Sequence, residues 1–76
     1  MAIGAAGGIE ALLGLLRQGT PDGKEGVASA LLNLCFEQQN KTILKGAGGV
    51  AALEAYTRTG TSAGKQKARL ALNMLK

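Results

Sequence analysis

One thiol, five scattered acids and two glycine-rich segments are the groups in this 76-residue chain that could do chemistry. A serine or cysteine nucleophile needs a base within hydrogen-bond reach, and the chain has no histidine. Cys35 stands between Leu34 and Phe36 on an apolar face, where a thiol reads as a small buried hydrophobe. Glu10, Asp22, Glu25, Glu37 and Glu54 are spread along the chain. Nothing pairs two of them in an apolar pocket, so general acid–base chemistry has no support. One cysteine without histidine also leaves no zinc site. The chain therefore predicts no enzyme: no catalytic residue, no metal and no cofactor.

The glycine-rich segments fail as phosphate loops. Gly19-Thr20-Pro21-Asp22-Gly23-Lys24 has three residues between its glycines, and Glu25 follows the lysine. A phosphate loop needs four, then lysine and a magnesium-binding hydroxyl. Lys65 is followed by Gln66 and fails in the same way. Gly46-Ala47-Gly48-Gly49-Val50-Ala51 fits a loose dinucleotide fingerprint, but it follows a helical segment and no acid lies about twenty residues on. Both segments read better as turns between helices.

Composition says what must carry those turns. Hydrophobic residues make up 46 %, dominated by Ala and Leu, while aromatic residues are only 3 %. That balance favours helix over strand. A chain this short buries only about 60 % of its unfolded surface, so its core is marginal by size alone. The net charge is +4, and the excess is C-terminal: Arg58, Lys65, Lys67, Arg69 and Lys76 stand against Glu54 alone. Lys65, Lys67 and Arg69 spread around a helix rather than along one stripe, so they read as a solvated face. A small basic nucleic-acid binder is the alternative from another class, disfavoured by the lack of stacking aromatics. No apolar run reaches membrane-spanning length, and Met1–Gly4 has no basic signal region. The expectation is an intracellular chain, cytoplasmic or nuclear.

An internal repeat organises the whole sequence. Shifted by 41 residues, Ala6–Leu34 lies over Ala47–Leu75 without a gap. Thirteen pairs are identical, among them Gly8/Gly49, Leu12/Leu53, Arg17/Arg58, Gly19/Gly60, Gly23/Gly64, Leu31/Leu72 and Leu34/Leu75. Within each unit the apolar residues fall at helical spacing. Ile9, Leu12, Leu13, Leu15 and Leu16 mark a first helix that Gly19 stops. Thr20–Gly23 predicts a turn, and a second helix should run from about Asp22 or Lys24 to Phe36 with Val27, Ala30, Leu31, Leu34 and Cys35 on one face. Glu37–Asn40 predicts a break, with Asn40 capping a short helix over Lys41–Lys45. The plan then repeats with Val50, Leu53 and Tyr56, a turn over Gly60–Gly64, and a last helix carrying Ala68, Ala71, Leu72 and Leu75.

A period near 41 residues with two long helices and one short one lies in the armadillo and HEAT range. GGIEALLGLLRQG, GVASALLNL and NKTILKGAGGV together resemble an armadillo repeat, and the stretch around the Gly19–Lys24 turn is similar to repeats of plant U-box proteins. The resemblance covers about Ala5 to Lys76. It implies an all-α solenoid of about two repeats: residues 1–46, a first unit incomplete at its N-terminus with the following short helix, and residues 47–76, a second. It also implies a protein-interaction module whose last helices line a groove for an extended peptide or protein segment. The family's groove asparagine falls on Asn33. Its tryptophan position holds Ser29, and the second unit has Leu70 and Met74 at the two places.

Repeat units cannot bury their faces alone, and about three are usually needed. With fewer than two, Val50, Leu53, Tyr56, Leu72 and Leu75 are expected to form an open end through which the chain associates with itself, by stacking or by exchanging helices. An excised, ancestral-like or designed fragment without a binding role of its own is the other reading.

Overall fold

The computed structural model describes residues 5–75, and among them finds five α-helices and no strand: α1 (Ala5–Gln18), α2 (Pro21–Leu34), α3 (Gln38–Gly46), α4 (Gly49–Thr59) and α5 (Ser62–Leu75). Met1–Gly4 and Lys76, which belong to the two expected units, lie outside the described residues.

The segment expected as a turn at Thr20–Gly23 is instead the start of α2. Thr20 is extended and its Oγ1 accepts from the Gly23 amide at 3.0 Å. Pro21 follows at the first helical position, where its missing N–H costs nothing, and Asp22 sits in the positive first turn. The second unit repeats the device, with Thr61 Oγ1 accepting from the Gly64 amide at 3.1 Å. Both second helices thus begin earlier than the glycines suggest, because a threonine cap tolerates glycine in the first turn. At its other end α2 stops at Leu34, two residues short of Phe36. Asn40 does not cap α3, which begins at Gln38 behind Glu37. Gly48, at φ 82°, makes the left-handed corner between α3 and α4, a conformation that favours glycine.

Packing joins two helical hairpins. α1 packs on α2 and α4 packs on α5, while α2 lies along α5 and α1 along α4; α3 bridges α1 and α4. The molecule is 32 × 27 × 17 Å, and the short axis is the depth of two helix layers. Leu13, Leu31, Leu44, Leu53 and Leu75 are among the fully buried side chains of one continuous core.

That core corrects the expected open end. Leu53, Tyr56, Leu72 and Leu75 are buried within a single chain, and Val50 is partly buried against them. The reason is the direction of stacking: the second unit turns these residues inward, onto the first unit. Among the described residues the large apolar side chains left exposed are Leu15, Phe36 and Leu70.

Candidate functional site

Because the repeat places α2 and α5 in equivalent positions, residues 41 apart share a face. At equivalent places α2 presents Ser29 and Asn33 and α5 presents Leu70 and Met74. Asn33 is exposed, one turn beyond Ser29, so its amide can both donate to and accept from a neighbouring backbone. Ser29 is half-buried and its hydroxyl donates to the Glu25 carbonyl at 3.3 Å, which ties it to its own helix. Leu70 is 48 % exposed and Met74 is partly buried against the core. Lys67, half-buried, and exposed Asn73 flank them. The strip is polar on the first unit and apolar on the second, with a flexible thioether that can adapt to an irregular surface. Neither unit supplies the indole that the resemblance would place there, since the chain has no tryptophan.

A second feature lies where the two hairpins meet. Pro21 and Lys24 of the first unit and Tyr56, Thr59, Gly60 and Thr61 of the second line a shallow cleft of about 170 Å³. Tyr56 forms its floor. A Cβ on Gly60 would lie 2.5 Å from the Tyr56 ring, and a Cβ on Gly64 would lie 2.8 Å from it and closer still to the hydroxyl. Both glycines are therefore required by the close approach of this ring. The hydroxyl is buried and has no hydrogen-bond partner among the described residues. Sequence reasoning assigned Tyr56 to an exposed face and missed this role. Part of the signal was present: Gly60 follows Tyr56 by one helical turn at the end of α4, but Gly64 stands in the first turn of α5 and meets the ring only because the chain folds back there.

Cys35 offers no nucleophile. Its side chain is fully buried, and Sγ donates to the Ala71 carbonyl at 3.9 Å, linking the two units. Burial pushes the thiol above its ordinary value of 9.0, and the nearby Lys41 charge offsets this only in part. A protonated, enclosed thiol is unreactive at neutral pH. Among the described residues no cluster of histidine, cysteine or acidic side chains could hold a metal ion, and no helix is long and apolar enough to cross a membrane.

Residues 1–36 match the family model for the Armadillo/beta-catenin-like repeat. The match spans α1 and α2 and ends before α3. No curated protein and no solved structure matches the chain significantly.

Proposed function

We propose that the chain, whose residues 1–36 match the armadillo family model, is a non-enzymatic protein-interaction module built from two such units, residues 1–46 and 47–76. Its working surface is the outer strip of α2 and α5, and its ligand is an extended peptide or protein segment. The observation that supports this is the exposure of Asn33 and Leu70 on adjacent helices, at the positions where the resemblance places the groove. Asn33 hydrogen-bonds the ligand backbone, while Leu70 and Met74 receive an apolar side chain. Lys67 of α5, which flanks the strip, favours acidic segments. Association with a further helical layer completes the solenoid, as in repeat proteins generally.

The test is selection of extended peptides from a displayed random library against the whole chain. Enriched peptides are expected to carry acidic and apolar residues, and to bind at least tenfold more weakly to Asn33→Ala and Leu70→Ser. Enrichment of ligands indifferent to both changes would overturn the assignment of this strip.

A further inference from the structure

The cleft where the hairpins meet contains a group that packing does not explain. Tyr56 is 3 % exposed, and its hydroxyl is enclosed with no hydrogen-bond partner among the described residues. A phenylalanine ring would make the same contacts with Gly60 and Gly64 without burying an unpaired donor. Gly64 instead leaves room for the oxygen itself, which a Cβ at that position would strike. Buried donors are almost always paired, so an orphan beside a cleft points to a partner that arrives from outside. The equivalent residue of the first unit is Leu15, which has no polar atom to satisfy.

The walls of the cleft define the chemistry of that partner. Besides Tyr56 they are Pro21, Lys24, Thr59, Gly60 and Thr61, around about 170 Å³. Lys24 brings one positive charge, and no acidic side chain is among the lining residues. Thr59 is exposed and carries a hydroxyl that can donate. Thr61 Oγ1 accepts from the Gly64 amide at 3.1 Å, which leaves its own hydrogen to donate. Thr61 also precedes α5, whose positive end has no acid in its first turn. The matching turn of α2 has Asp22, exposed and outside the lining. Four side-chain donors and one positive charge thus line one space. A carboxylate fits this set, since its two oxygens accept several hydrogen bonds and its single charge balances that of Lys24. A doubly charged phosphate would leave one charge without a counterpart among the lining residues.

We propose that this cleft binds a carboxylate, from a free small acid or from an acidic side chain of a protein segment, with Lys24 and the Tyr56 hydroxyl as its principal donors. The hydroxyl is enclosed, so a ligand oxygen reaches it only when a side chain of the rim turns aside. Lys24 is the lining residue with a long flexible stem, so it is the one that moves and then pairs with the arriving charge. The site stands apart from the strip around Asn33, which lies nine residues further on, about 14 Å along α2.

The test is a titration of the whole, isotopically labelled chain, followed through its amide resonances at an ionic strength held constant with chloride. The probes are acetate, N-acetylglutamate α-amide, the neutral N-acetylglutamine α-amide and inorganic phosphate. Acetate is expected to give saturable shifts centred on Lys24 and residues 59–64, and the glutamine compound none. Tyr56→Phe keeps the ring, and circular dichroism checks that it keeps the fold. It should weaken acetate by about tenfold, the worth of one hydrogen bond to a charged group. Lys24→Gln should weaken acetate as much, Lys24→Arg should retain it, and Asn33→Ala should leave it unchanged. Tighter binding of the glutamate compound than of acetate supports the site and assigns it to a protein segment. Equal or weaker binding supports the site and assigns it to a free small acid. Shifts that fail to saturate, or that survive Tyr56→Phe undiminished, overturn the proposal, since attraction to the Lys24 charge alone would produce them. Phosphate binding tighter than that of both carboxylates overturns it as well.

Discussion

Leu15 and Tyr56 hold the same place in the two units, yet Leu15 is 53 % exposed and Tyr56 only 3 %. Gly23 and Gly64 hold the same place too. A Cβ at Gly23 would meet only the cap oxygen of Thr20, at 3.0 Å, whereas at Gly64 it would run into the Tyr56 ring and hydroxyl. The local sequence pattern, the threonine cap and the helix phase are shared. What differs is whether another hairpin lies alongside. In a repeat protein burial belongs to the stack, so equivalent residues can have very different energetic worth.

The largest expected consequence is at the pair that opens the comparison. Tyr56→Ala should cost about 3–5 kcal/mol in denaturant unfolding, since it empties the junction of the hairpins. Leu15→Ala should cost under about 1 kcal/mol, because much of that side chain is already in water. Equal costs would show that the two units are not stacked in this direction. Tyr56→Phe serves as the control: it removes a buried hydroxyl that has no partner among the described residues, and should leave stability unchanged or raise it.

The glycine pair comes next. Gly64→Ala should destabilise by about 1–3 kcal/mol through overpacking against Tyr56. Gly23→Ala should stay within about 1 kcal/mol of the parent, since helix propensity gained in the first turn of α2 opposes a mild crowding of the cap. Calorimetric melting of both variants checks the difference.

Gly14 sharpens the contrast from the other side. It lies inside α1, and a Cβ there meets nothing within 4 Å. Gly14→Ala should stabilise the chain by about 0.5–1 kcal/mol. A loss of stability would mean that this surface of α1 is already covered in solution.

The smallest effect concerns the thiol joining the two units. Burial raises the folded-state value of Cys35, so its contribution is fully present below the ordinary value of 9.0 and is lost as pH rises through the folded value. The stability difference between the parent and Cys35→Ala should therefore shrink only on the alkaline side of pH 9. A difference that varies between pH 5 and 8 would contradict an enclosed thiol.

Much of this architecture could be read from residue order. Helical periodicity, the 41-residue repeat, the stop at Gly19 and the buried place of Cys35 all follow from local spacing and from side-chain size. The Thr20 cap was misread as a turn because threonine, proline, aspartate and glycine in succession satisfy both patterns, and only the extended backbone of Thr20 with its bond to Gly23 tells them apart. Asn40 looked like a cap for a similar reason, whereas α3 starts earlier without any side-chain cap. For the proposed strip, the family resemblance pointed to Asn33 and Ser29 and the repeat alignment to Leu70 and Met74, but exposure and the bond from Ser29 to Glu25 came only with coordinates.

By itself the sequence determined the helices, their repeat and the absence of histidine-based chemistry, since these depend on residue type and near-neighbour spacing. Which end of the molecule is open was decided by the tertiary structure alone. An apolar stripe states that a face must be covered; it carries no direction. Only the packing of α2 against α5 and of α1 against α4 shows that Leu53, Tyr56, Ala71 and Leu75 are covered within the chain, while Leu12, Leu15, Ala30 and Leu34 stay partly covered or exposed among the described residues.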